Sequence, residues 1–98
     1  MKSFSLDPQA EKELEEACTY YREQGGNQLA NAFLAEFERV AVLLCVNTGF
    51  GTPAGGKRRS YPLRRFPYSL IYRDTPVGLR ILVVGHQHRK PGYWVNRA

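Results

Sequence analysis

The 98-residue chain carries 14 Lys and Arg against 9 Asp and Glu, 2 His and 2 Cys, with 43% hydrophobic residues and a formal net charge of +5. That length is read as a single domain spanning residues 1–98, large enough to fold without disulfides or metal and too small for a separate substrate domain. No run of about 18 apolar residues is available to span a membrane, and the Met-Lys-Ser start lacks an apolar signal region, so the expected location is the cytoplasm.

In chain order, Phe4-Ser5-Leu6 reads as a short strand that ends at Asp7-Pro8. Asp at the cap, Pro at the first helical position and Glu11 in the first turn mark a helix start. Ala10, Leu14, Ala17, Cys18 and Tyr21 then fall on one helical face. Gly25-Gly26 interrupts that helix, and Asn27 is placed to cap a second one whose apolar face runs Leu29, Phe33, Phe37, Val40, Ala41 and Leu44. So short a break between two apolar stripes predicts an antiparallel helical hairpin. Cys18 and Cys45 fall at apolar helix positions and are read as buried free thiols.

After Asn47 the periodicity changes. The stretch "NTGFGTPAGGKRRS" reads as a connecting loop, and from Tyr61 the spacing becomes two. Phe66, Tyr68, Leu70 and Tyr72 share one face, with Arg65, Ser69 and Arg73 on the other. Pro62 and Pro67 mark a break, bulge or edge there. Asp74 to Gly78 supplies a turn, after which Leu79, Ile81 and Val83 alternate with Arg80, Leu82 and Val84 in a more buried strand. The expected class is α+β: β-α-α-β-β-β, a helical hairpin packed on one face of a small, mainly antiparallel sheet.

Charge is divided along the chain. Residues 1–50 hold four cations and eight carboxylates, a balance of −4; residues 51–98 hold ten cations and Asp74 alone, a balance of +9. The topology gathers Arg65, Arg73 and Arg80 on the sheet face away from the acidic helices, which favours a polyanionic partner. Lys57, Arg58 and Arg59 form the densest cation run, directly after a glycine loop, and with Arg64, Arg65, Arg73 and Lys90 they are candidate contacts to nucleic acid or another target.

The strand, the helical hairpin, "LRRFPYSLIYR" and "ILVVGHQHRKPGYW" occur in an order and spacing that resembles the RelE/ParE superfamily of toxins from bacterial type II toxin-antitoxin systems, over roughly residues 4–94. The resemblance implies a toxin neutralised by a cognate antitoxin, whose acidic or amphipathic segment would lie on Arg65, Arg73 and Arg80. It also implies one of two targets. RelE-like members cut messenger RNA on the ribosome, whereas ParE-like members poison DNA gyrase and serve plasmid stabilisation and growth inhibition. The strand arginine of the nuclease pattern is here Ser69, and the arginine early in the final motif is Gln87. These departures favour the ParE branch and gyrase, with a ribosome-dependent mRNA interferase as the alternative and a non-toxic basic nucleic-acid-binding module as a third reading.

A metal-independent nuclease needs a proton-transfer group and cations on the developing phosphorane. If the chain is one, the candidate catalytic residues are His88 as acid or base, Arg89 bracing the phosphate, a role open to Arg73 or Arg65 as well, and Tyr93, placed like the family's C-terminal tyrosine, stacking a base or donating a proton. His86 reads as a structural histidine. His86 and His88 alone are too few for zinc, so neither a metal nor a cofactor is expected. Trp94 is expected to fold back over the sheet or the hairpin, with Pro91-Gly92 making the turn and Tyr93 pointing to solvent or a ligand.

Overall fold

The computed structural model describes residues 3–89 and 92–97. β1 (Phe4–Leu6) leads into a helical segment, α1 (Pro8–Val46), and a 3-10 turn at Thr48–Phe50; β2 (Thr52–Pro53), β3 (Arg58–Pro62), β4 (Tyr68–Thr75) and β5 (Gly78–His86) follow. The strands form one sheet in the order β1-β5-β4-β3-β2, with β1 parallel to β5 and every other pair antiparallel.

The helix starts where its sequence signals place it, with Pro8 in the first turn and the Asp7 carboxylate accepting the Gln9 amide at 2.9 Å. Gly25 and Gly26 leave helical geometry, Gly26 at φ 73°, and split α1 into two arms. Tyr21 and Phe33 are twelve residues apart, which a straight helix would separate by about 18 Å. Their ring centroids are 5.1 Å apart, so the chain reverses at the glycines and the arms pack against each other. The faces named from spacing are the faces that pack: Ala10 and Ala17 from the first arm and Phe33, Phe37, Val40, Ala41 and Leu44 from the second are buried. They meet Leu70, Tyr72, Leu79, Ile81 and Val84 from the sheet.

Three expectations change. The segment after Asn47 is not all loop, because Thr52–Pro53 pairs with β3, and β3 already begins at Arg58. Phe66 is buried but lies in the break between β3 and β4; the backbone amide of Leu63 closes that break on the Tyr68 carbonyl at 2.9 Å. In β5, Ile71 and Tyr72 oppose Val83 and Ile81, so Leu82 is an extra, bulged residue. Beyond it the alternation reverses, and Val84 rather than Val83 joins the core cluster.

Candidate functional site

The sheet face opposite the helices is built from cross-strand rows. Arg58, Arg73 and Arg80 form one row; Ser60, Ile71 and Val83 the next; Pro62, Ser69 and Gly85 a third. Like charges opposite one another on neighbouring strands cost roughly 0.2–1 kcal/mol per pair. The outer two are held by acceptors beside the row. Arg80 donates to Ser5 Oγ at 3.3 Å and the Leu6 carbonyl at 3.2 Å, and lies 4.0 Å from Asp7. Arg58 donates to the Gly55 and Val95 carbonyls, each at 3.3 Å, and its guanidinium stands 5.0 Å from the Trp94 ring centroid.

Residues 92–97 lie across this face as a strap. Its anchor is Arg97, whose guanidinium bonds the Glu13 carboxylate at 2.7 and 3.1 Å, Gln9 Oε1 at 2.8 Å and the Leu82 carbonyl at 3.0 Å. Glu13 Oε1 in turn accepts the Val84 amide at 3.1 Å. The reason lies in strand lengths. β1 pairs only with Leu79 to Ile81, which leaves the rest of β5 as an edge. The Glu13–Arg97 ion pair caps one N–H and one C=O of that edge, as a neighbouring strand would.

Within the strap Tyr93 lies over Gly85, where an added Cβ would stand 2.6 Å from the tyrosine hydroxyl oxygen. Tyr93 therefore does not point to solvent. Its hydroxyl oxygen is buried, and burial followed by the Glu13 charge raises its pKa against the opposing pull of Arg89 and Arg97. Arg89 sits 3.9 Å from the Tyr93 ring centroid and 3.7 Å from Glu13. Trp94 does fold back, onto Arg58 of β3.

Two cavities result. One of about 320 Å³ is lined by Ser60, Ser69, Ile71, Val83, Tyr93 and Trp94, with His86, Gln87 and Arg89 among the residues around them. Another of about 190 Å³ is lined by Lys57, Arg58, Arg73, Leu82 and Arg97.

The sequence-derived candidates are thus divided. Arg89 and Tyr93 come together. His88 is not among the described residues lining the cavity they share; its backbone amide donates to His86 Nδ1 at 3.1 Å, and His86, read as structural, both meets the Tyr68 ring edge-to-face and lines the cavity. Lys57, Arg58 and Arg73 converge, but Arg59 turns to the other side, donating to the Gly51 carbonyl at 2.8 Å. Arg64 and Arg65 lie beside the second helical arm, not on the sheet face: the Arg64 amide bonds Glu36, and Arg65, at φ 72°, packs on the Phe66 ring. Lys90 lies outside the described residues. Arg97 was missed from sequence, and no local pattern links residue 97 to residue 13. Among the described residues no cluster of three or more His, Cys, Asp or Glu is placed to hold a metal ion, and no helix is long and apolar enough to cross a membrane.

A two-arm helical segment on one face of a five-stranded mixed sheet, with a basic opposite face, defines a small α+β fold. The sequence profile described as "ParE toxin of type II toxin-antitoxin system, parDE" matches residues 4–91, and the chain belongs to that family. In structure it is similar to a chain of the chromosomal ParDE toxin-antitoxin system from P. aeruginosa, with a TM-score of 0.76 at 22% identity, covering 88% of this chain and 96% of that one. Comparison with curated protein sequences gave no significant match.

Proposed function

We propose that this ParE-family toxin arrests growth by acting on DNA gyrase, and that a cognate antitoxin neutralises it through an acidic segment laid along the Arg73–Arg80 side of the sheet. The observation that carries the target is the state of the C-terminal tyrosine. Tyr93 has a buried hydroxyl packed over Gly85, with its pKa raised, which suits a packing anchor and not a proton donor to RNA. Ser69 and Gln87, standing where the nuclease pattern has arginines, line the same cavity and bring no charge to it. Support for the antitoxin surface is electrostatic: Arg58, Arg73 and Arg80 stand opposite one another on three neighbouring strands and concentrate positive charge on that side of the sheet.

The test is induction of the chain in bacteria without an antitoxin, in strains with sensitive and resistant gyrase, with message 5′ ends mapped in parallel. Growth arrest relieved by resistant gyrase, with intact messages, is the expected result. Codon-phased cleavage of messages with arrest in both strains would replace gyrase by the ribosome. Co-expression of a short acidic reading frame from the same locus should restore growth; loss of that rescue on charge reversal at Arg73 and Arg80 tests the antitoxin surface.

A further inference from the structure

The two cavities on the sheet face are neighbours with complementary chemistry. Ser60, Ile71 and Val83 line the larger one, and each of Ser60 and Ile71 lies one same-face step along its strand from Arg58 and Arg73, which line the smaller. Such a step is about 7 Å. The Arg58–Trp94 contact, at 5.0 Å, forms the partition between them. On one side stand an apolar floor of Ile71 and Val83, aromatic side chains of Tyr93 and Trp94, and the hydroxyls of Ser60 and Ser69, with His86, Gln87 and a single cation, Arg89, also among the described lining residues. On the other stand Lys57, Arg58, Arg73 and Arg97, with Leu82 the one uncharged lining residue among those described.

We infer that this pair of cavities binds a nucleoside phosphate, with the base against Trp94 and Tyr93 over Ile71 and Val83, and the phosphate among Lys57, Arg58 and Arg73. The larger cavity, at about 320 Å³, falls within the range of about 300–1,000 Å³ typical of small-ligand sites. Aromatic side chains stack bases irrespective of sequence, and arginine forks match phosphate oxygens. Arg97 contributes charge alone, because Glu13, Gln9 and Leu82 already hold its donors, and Arg58 offers Nη2, its Nε and Nη1 being engaged by the Gly55 and Val95 carbonyls. The same chemistry serves a free nucleotide or a nucleotide within a single strand. An acidic peptide would use the cations and leave the aromatic cavity unfilled. The site does not depend on which cellular target the toxin has, and the assay below does not involve growth.

Trp94 is the chain's only tryptophan, so its emission reports the site directly. The purified full chain is titrated with AMP, adenosine, inorganic phosphate, a short oligoadenylate and polyglutamate, at low and moderate salt. AMP should quench Trp94 saturably and at least about tenfold more tightly than adenosine or phosphate alone, since neither fills both cavities. Tighter, more salt-dependent binding by oligoadenylate assigns the site to single strands, whereas equal affinity assigns it to free nucleotide. Ser69→Leu, which fills the base cavity, should abolish the AMP response. Lys57→Ala, at an exposed position, should weaken it several-fold with the circular dichroism spectrum unchanged, and keeps the test open if Ser69→Leu disturbs the strap. Equal responses to AMP and phosphate, no saturable AMP response at millimolar concentration, or Trp94 quenching by polyglutamate as strong as by AMP at equal charge would each overturn the inference.

Discussion

Arg97→Ala should be the most damaging single change in the last ten residues. The Arg97 and Glu13 side chains are only 10% and 11% exposed, and their ion pair closes at 2.7 Å. Removing one partner of a buried pair typically costs about 3–5 kcal/mol, because the other charge is left desolvated. Two features set the value here. Glu13 keeps the Val84 amide and the more distant Arg89, which moderates the loss, while the Leu82 carbonyl loses the Arg97 donor, which adds to it. A cost of about 3 kcal/mol follows, against a total stability of about 5–15 kcal/mol for a chain of this size. At roughly 4–8 °C per kcal/mol, the melting temperature should fall by about 12 °C or more. Differential scanning fluorimetry or calorimetry reads this, with Arg39→Ala as the comparison. Arg39 pairs with Glu36 at 2.7 Å across one helical turn but is 41% exposed, so its loss should cost at most about 1 kcal/mol. Trp94 emission should also move to the red in Arg97→Ala as the strap leaves the sheet. A melting temperature lowered by less than about 4 °C, or one no lower than that of Arg39→Ala, would refute the claim that the ion pair substitutes for a strand at the β5 edge.

Other positions give sharper local tests. Tyr72 Oη donates to the Thr48 carbonyl at 2.6 Å and accepts the buried Gly51 amide at 2.9 Å, so Tyr72→Phe strands both groups and should cost about 1–3 kcal/mol in denaturant unfolding. Gly85→Ala places a methyl 2.6 Å from the Tyr93 hydroxyl oxygen; the flexible ring should yield before the sheet does, giving a loss of about 1 kcal/mol and a red shift of Trp94 without change in far-ultraviolet dichroism. The Arg39 fork, with help from the Arg64 amide and both positive charges, holds the Glu36 carboxyl below its ordinary 4.5 despite partial burial. A depressed acid contributes stability that is complete above its unfolded value and disappears as pH falls through its folded one, so Glu36→Gln should flatten the stability-pH curve below about 4.5 and leave its alkaline limb alone. Burial raises the Cys18 thiol, more than the nearby Arg22 lowers it, and Cys45 is buried. Alkylation of the native protein should therefore be slow at both, with Cys18 labelled first.

Much of the fold was legible because several residues carried the same instruction. Asp7, Pro8 and Glu11 agree on a helix start, Gly25-Gly26 on a break, and the stripes on either side on a shared core. The phase of β5 was not legible. "LRILVV" is apolar at nearly every position, so a bulge at Leu82 exchanges Val83 and Val84 without violating any pattern. β2 was hidden for a related reason, since two residues with a proline make no periodicity; only pairing with Ser60 and Arg59 defines them. At the candidate site, residue types were readable and their directions were not. Arg58 and Arg59 are neighbours in sequence yet serve opposite faces, and Arg65 turns away from Arg73 because its backbone adopts φ 72° in the break before β4. Tyr93 reads from sequence as facing solvent or a ligand; the solvent half of that reading fails because nothing local announces that Gly85 leaves space for its ring.

The row Arg58–Arg73–Arg80 is where stability and binding oppose each other. Three guanidinium groups in register across adjacent strands repel, and a neutral residue at the centre would relieve two pairs at once. Arg73→Gln should therefore stabilise the isolated toxin, by roughly 0.4–2 kcal/mol at low salt, less as salt screens the row. The same change should weaken any polyanion held there. A bound anion reverses the balance, because it adds attraction to all three cations and stabilises the folded chain in proportion to its occupancy. Thermal melts of the wild type and Arg73→Gln, with and without inorganic phosphate or polyglutamate, separate the two effects. Wild type should gain more from the anion than the variant, and start lower without it. If Arg73→Gln melts lower than wild type in both conditions, Arg73 belongs to the framework of the sheet, and the basic row is not a binding surface maintained against its own repulsion.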